Sequence, residues 1–292
     1  MGRGRWLVYI LVGILAVVGY GYTRGNRRAL MWECLFHPAE WSAEIPIDGD
    51  PILASPCGIL AIRLDTVTLT GTGLLVRGRP IRDRFADYRL EGVVLSLRDE
   101  ERVRPLDPPP LRARAIPADD ADPPLQWHFP HAETGLEMGD EFRLALDSFQ
   151  IAREVDRELR LSLDFLLEGT TEIPAGEDGY LESRGARLED ATLELDWLHH
   201  PTGRMAEAVA CGLLFRIDLI GYRDDAGRPL GGSGTGGASP GSPWTSTQRL
   251  VPVAEGVEHL EIALVKTELS WEGDDPGPEA TASLTLPLRI MR

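Results

Sequence analysis

Lysine and asparagine are almost absent from this sequence. Among 292 residues, Lys266 is the sole lysine and Asn26 the sole asparagine. The lysine of a phosphate-cradling Walker A loop must follow a glycine, and Lys266 follows Val265, so that loop is excluded. Asn26 precedes Arg27-Arg28, so there is no N-glycosylation acceptor. With 29 of the 30 basic residues being arginine, the composition has the GC-rich bias of a bacterial coding sequence. Cysteine is scarce as well. Cys34, Cys57 and Cys211 form no CxxC, which removes zinc-ribbon and thioredoxin readings. An oxidising compartment would allow Cys34 to pair with Cys57, while Cys211, in an apolar stretch, reads as a small core residue. Positive charge is in deficit: 30 basic against 46 acidic groups gives 30 − 46 = −16. A chain so acidic lacks the clustered cations that phosphate backbones require, so no nucleic-acid partner is expected.

What is present is unevenly placed. Residues 1–28 hold Arg3, Arg5, Arg24, Arg27 and Arg28 and no acid. The other 264 residues then carry 25 − 46 = −21. The basic end frames the uncharged run Trp6 to Tyr22, WLVYILVGILAVVGYGY. We read residues 1–5 as a basic N-terminus and 6–23 as a single transmembrane anchor. Trp6 and Tyr9 at one end, and Tyr20 and Tyr22 at the other, are the aromatic interface anchors of such a helix. The competing reading is a cleaved signal peptide, but Gly-Tyr-Gly-Tyr-Thr-Arg makes a poor small-x-small cleavage site. Residues 24–41 read as an amphipathic juxtamembrane segment, with Arg27, Arg28, Trp32 and Phe36 as contacts to the bilayer or to partner helices. Arginines on both sides of the anchor make the orientation weakly determined. We expect the amino end inside and the soluble part on the periplasmic side of a bacterial inner membrane.

From residue 42 onward the hydrophobic period is two. Ile62 and Leu64 alternate with Arg63 and Asp65, and the phase slips near Asp65-Thr66, as at a bulge. It slips again at Gly92, before Val93, Leu95 and Leu97. Leu159, Leu161, Leu163, Phe165 and Leu167 alternate with polar residues and read as one strand. Residues 205–222 are more apolar, and periodicity does not settle between helix and strand there: a short helix continuing as a buried strand is one reading. The proline-rich stretch 101–126 and the Gly/Ser/Pro-rich stretch 226–245 read as loops. The fold class is therefore mainly β: an N-terminal transmembrane helix, then residues 42–292 as a β-sandwich-like or two-lobed β-rich soluble domain.

Motifs for chemistry are weak. Gly232-Ser233-Gly234-Thr235-Gly236-Gly237 matches G-x-G-x-x-G, and Gly237-Ala238-Ser239-Pro240-Gly241 matches G-x-S-x-G. Both lie between prolines and lack the strand-to-helix setting that their chemistry needs. His128 and His131 could supply two metal ligands, but Pro130 prevents a helix from holding them on one face. His199-His200 precede a Pro-Thr-Gly turn and read as solvated. No catalytic residue, metal or cofactor is expected. The stretch Gly256-Val257-Glu258-His259-Leu260-Glu261-Ile262, then Trp271 and Leu284 to Ile290, resembles the carboxy end of minor pilins and pseudopilins. The amino end has neither a prepilin cleavage motif nor an early glutamate in the apolar helix.

These readings converge on a membrane-anchored, non-catalytic accessory subunit. Its partners would be integral-membrane subunits and the lipid bilayer. The alternatives are an envelope transport or secretion component, minor-pilin-like or lipid-passing, and an anchored hydrolase. An open apolar groove would mark the former and a convergent polar pocket the latter.

Overall fold

The computed structural model describes residues 42–47, 51–70, 72–99, 111–115, 124–130, 141–169, 171–237, 243–273 and 278–285. The anchor 6–23 and the segment 24–41 lie outside these, as do Trp6, Tyr9, Tyr20, Tyr22, Arg27, Arg28, Trp32 and Phe36. Among the described residues, no helix is long and apolar enough to cross a membrane.

The described chain is mainly β, in three antiparallel sheets. Sheet A orders β1 (Ser42–Ile45), β3 (Ala61–Thr70), β4 (Gly73–Ile81) and β7 (Leu125–Pro130), with β2 (Ile52–Ala54) also paired to β3. Sheet B orders β12 (Leu214–Asp224), β15 (His259–Glu272), β8 (Glu141–Ser162), β5 (Arg89–Asp99) and β6 (Leu111–Ala115). A last strand, β16 (Thr281–Thr285), joins β8. Sheet C orders β13 (Gly231–Gly237), β14 (Thr245–Val251), β11 (Thr192–Pro201), β10 (Gly179–Glu189) and β9 (Glu172–Pro174).

Strand β8 is the spine. Its 22 residues pair with β5 from Phe142 to Ala152 and with β15 from Ser148 to Ser162, so the two pairings overlap in its middle. Sheet A packs on the first half of sheet B, where Trp127 Nε1 donates to the Val93 carbonyl at 3.0 Å. Sheet C packs on the other half, where His199 Nδ1 accepts the Ile217 amide at 2.9 Å. One apolar core runs through all three sheets, from Ile62, Val76 and Phe129 through Leu95, Leu146 and Val265 to Leu195 and Trp197. These side chains occupy every second position of their strands, so each sheet turns one face inward. The phase slips seen in the sequence are register shifts, between Leu64 and Thr66 and between Leu90 and Gly92. The hairpin between β10 and β11 turns through Asp190 and Ala191, both at positive φ (48° and 58°). Those angles match the right-handed twist of the flanking strands.

Several expectations are corrected. Leu111–Ala115, inside the stretch read as loop 101–126, is a strand. Ala113 and Ala115 face the core and Arg112 and Arg114 face out, an alternation too small in volume to stand out beside the prolines. Leu125 and Gln126 already belong to β7. Inside 226–245, Gly231–Gly237 pairs along its whole length with β14, and Thr245 opens β14 itself. A glycine strand is held by backbone hydrogen bonds alone and has no apolar side chains to show a period. The alternation that ran to Leu167 breaks at Ser162. Leu163–Glu168 is a helical turn, α1, burying Leu163 and Leu166 at i, i+3 and leaving Phe165 60% exposed. In 205–222, which periodicity leaves open between helix and strand, helix α2 (Gly203–Ala210) leads into β12.

Cys57 bonds to Cys211, not to Cys34, across 154 residues. Cys57 lies in the 3-10 turn Pro56–Gly58 before β3, and Cys211 caps α2. The bridge therefore ties the sheet A side to the sheet C side. Closing a loop this long removes much denatured-state entropy, and replacing both cysteines with serine is expected to lower stability by about 2–4 kcal/mol. Urea unfolding measures it. Thiol titration of the denatured, unreduced monomer is expected to find one free thiol; three would contradict the bridge.

Candidate functional site

Carboxylates abound on this chain, and most are solvated. Asp178 is not: it is fully buried. It sits in the turn between β9 and β10, next to Gly179. Gly179 has φ 155°, and a Cβ there would stand 2.1 Å from the His200 carbonyl oxygen. Only glycine lets the turn close so tightly on β11. The Asp178 carbonyl accepts the Thr202 amide at 2.8 Å, which fixes the start of α2 against the turn.

Three donors and a second guanidinium surround the Asp178 carboxylate. Oδ2 accepts from Tyr88 OH at 2.5 Å, from Thr267 Oγ1 at 3.1 Å and from Arg153 Nη2. Oδ1 has no hydrogen bond, and its nearest cation is Arg204 Nη2 at 3.8 Å. Arg153 and Arg204 both also hold Asp87. Arg153 Nη1 lies 2.7 Å from Oδ2, and Arg204 grips both oxygens at 2.8 and 2.6 Å. The two guanidiniums each lie 5.3 Å from the Tyr88 ring centroid, a cation–π arrangement, and Phe85 meets Tyr88 edge-on at 5.5 Å.

The electrostatics follow from this packing. The Arg204 hydrogen bonds hold the Asp87 carboxyl below its usual range, against the smaller opposing effect of burial. Burial, then the hydrogen bond to Asp178, pushes the Tyr88 phenol well above its ordinary value. Burial works against the Arg153 charge, but Tyr88, Asp178 and Asp87 together outweigh it and the net shift is upward. Tyr88 thus stays a neutral donor and both arginines stay charged. Two arginines face one buried aspartate, Asp178, and one exposed aspartate, Asp87, and each hydroxyl is committed. The cluster ties the β9–β10 turn to β8, to β15 and to the residue before β5, and so acts as a clasp between parts of the fold.

A cleft of about 200 Å³ lies on the outer face of sheet B. Its floor consists of two neighbouring cross-strand rows. One row is Leu214, Ser270, Gln150 and Gly92, and the next is Glu272, Ser148, Val94 and Arg114. Small side chains in the middle leave the hollow. Beside it, Asp147 is buried and held by Ser96 (2.6 Å), Arg98 (3.1 Å) and Arg112 (2.8 Å).

The motifs read from the sequence fall elsewhere. The G-x-G-x-x-G glycines form edge strand β13 and open no helix. Ser239 and His131 lie outside the described residues. His128 is exposed on β7, 3.4 Å from Thr72 Oγ1, and among the described residues no group of metal-ligating side chains converges. His199 is not solvated: it is 1% exposed, with Nε2 placed 2.8 Å from Ser246 Oγ. Since Nδ1 accepts a backbone amide, Nε2 carries the proton and the ring is neutral. Sequence reasoning also passed over Asp178, because Glu177-Asp178-Gly179 has the composition of a surface turn.

Two outcomes are expected. Asp178→Asn leaves two guanidiniums beside a neutral group and is expected to cost about 3–5 kcal/mol, against about 1–2 kcal/mol for Tyr88→Phe. Denaturant midpoints of the two variants measure this. The second concerns acid. Burial first, then the Arg216 and His200 charges, lowers His199 to about 3 from 6.5. Between those values the unfolded chain binds a proton that the native fold excludes. Stability is therefore full above the unfolded value and falls as pH drops toward 3. His199→Gln should flatten that limb in a series of urea midpoints against pH.

No protein-family model matches the chain, and no curated protein is similar in sequence. A solved structure of a conserved domain protein from Bacillus anthracis is similar over 80% of this chain and 79% of that one, at 10% identity and a TM-score of 0.26. That likeness is too slight to carry a fold or an activity across.

Proposed function

We propose that this chain is a membrane-anchored, non-catalytic accessory subunit. It docks on and stabilises a larger integral-membrane assembly, with its β domain on the periplasmic side. The observation that carries this reading is the Cys57–Cys211 bridge in a chain whose first 28 residues are basic and apolar. Disulfides persist in oxidising compartments, and an amino-end-in anchor delivers the following domain to one. The apolar run Trp6 to Tyr22, with Arg27, Arg28, Trp32 and Phe36 behind it, supplies the contact to the bilayer and to partner helices.

The interior supports a structural role. Asp178 and Asp147, the fully buried carboxylates of the two clusters described, are both committed to arginines of the same chain. A domain built this way offers a rigid acidic body that packs over a complex, against basic loops of its partners.

Mild-detergent extraction from the native membrane, followed by size separation and identification of co-migrating chains, tests the proposal. Stoichiometric co-migration with a large membrane complex is expected. A chain that runs alone, near 32.1 kDa plus its detergent, would contradict it.

A further inference from the structure

The outer face of sheet A carries more basic than acidic charge, in a chain whose net charge is −16. The antiparallel register decides which residues share that face. Arg63 stands directly opposite Arg79, and Arg77 opposite Thr66. Their neighbours Ile62, Leu64 and Val76 are buried, so the three arginines project from the other side of the sheet. Thr68 continues this face along β3, and Gln126 and His128 continue it along β7. The acids on it are Asp65 and Glu44. Asp65 is committed to Arg79 Nε at 3.0 Å. Arg63 and Arg77 are exposed and have no ion-pair partner among the described residues.

Like charges directly opposite one another weaken a sheet. Asp65 offsets Arg79, so Arg63 and Arg77 are the cations of this face left without an ion pair among the described residues, and an anion bound across the face would pair them. Place supplies a second argument. β1 is an edge of sheet A, and Ser42 is its first residue. Residues 23–41 separate it from Tyr22, a tether that reaches at most roughly 65 Å when extended. A chain leaving the anchor thus enters the domain through this sheet.

We propose that the outer face of sheet A docks on anionic phospholipid headgroups of the membrane that holds the anchor. Arg63, Arg77 and Arg79 engage the phosphate oxygens. This rests on the anchored reading given above. Guanidinium forks match phosphate geometry, and an anionic leaflet attracts such a patch within a Debye length, about 8 Å at physiological salt. The acidic remainder of the domain is repelled by the same leaflet. The two effects together orient the domain with sheet A toward the lipid.

Arginine reactivity in the full chain tests this without a label. The protein is placed in phosphatidylcholine vesicles, with and without phosphatidylglycerol, treated with phenylglyoxal and read by mass spectrometry. Arg187 on sheet C and Arg223 on sheet B, both exposed, serve as internal references. Arg63 and Arg77 are expected to react about fivefold more slowly in the anionic vesicles, and to lose that protection at high salt. The references should not change. Arg63→Glu places an acid opposite Arg79, which turns a like pair into an opposite pair and preserves the fold; it should weaken the protection of Arg77. Equal reactivity in both vesicles overturns the proposal. So does equal protection by dissolved inorganic phosphate over neutral vesicles, which would mark a small-anion site. An alkaline carbonate wash of the same vesicles reads the anchor separately. A chain that washes off overturns the anchored reading, whereas a retained chain with unprotected arginines overturns the docking face alone.

Discussion

A buried carboxylate must be met by donors or it is not tolerated. Asp178 is met by residues that are distant in sequence: Arg153 is 25 positions away, Thr267 is 89 and Tyr88 is 90. Each comes from a different segment. Tyr88 follows the turn between β4 and β5, Arg153 lies on β8, and Thr267 on β15. The turn that carries Asp178 belongs to sheet C. One carboxylate therefore requires sheet C, the two central strands of sheet B and the exit from sheet A to be in place together. A pair of this kind contributes modestly to net stability, because desolvation offsets much of the attraction, but losing one partner is costly. Its effect is to permit one arrangement of the sheets and penalise others.

The rest of the architecture is arranged around that constraint. Strand β8 is long enough to give sheets A and C separate halves of one sheet to pack on. Helix α2 closes the gap between them and is held at both ends. Arg204 in its first turn grips Asp87, and Cys211 at its end bonds to Cys57. Thr202, before its first residue, donates its amide to the Asp178 carbonyl. The continuous apolar core supplies most of the driving force, and the clasp and bridge decide which faces meet.

The parts of this fold that were legible in the sequence are those whose side chains alternate in volume. Val93, Leu95 and Leu97 marked β5, and the phase slips at Asp65 and Gly92 marked real register shifts. β6 was hidden because its inward residues are alanines beside a proline run. β13 was hidden because glycine has no side chain to bury. Leu163 to Glu168 misled because alternate leucines fit a short helix nearly as well as a strand end. The clasp was illegible for another reason. Its members are spread from Phe85 to Thr267, each in locally ordinary company, and only the packing of three sheets brings them together. The same holds for Cys57 and Cys211, whose pairing depends on where α2 ends.

The central claim is that three sheets and the Asp178 clasp form one cooperative body. Scanning calorimetry of the full chain in detergent measures this directly. The account predicts a single transition for the β domain, with calorimetric and van't Hoff enthalpies in agreement. Two resolved transitions, one for the sheet A half and one for the sheet C half, would contradict it.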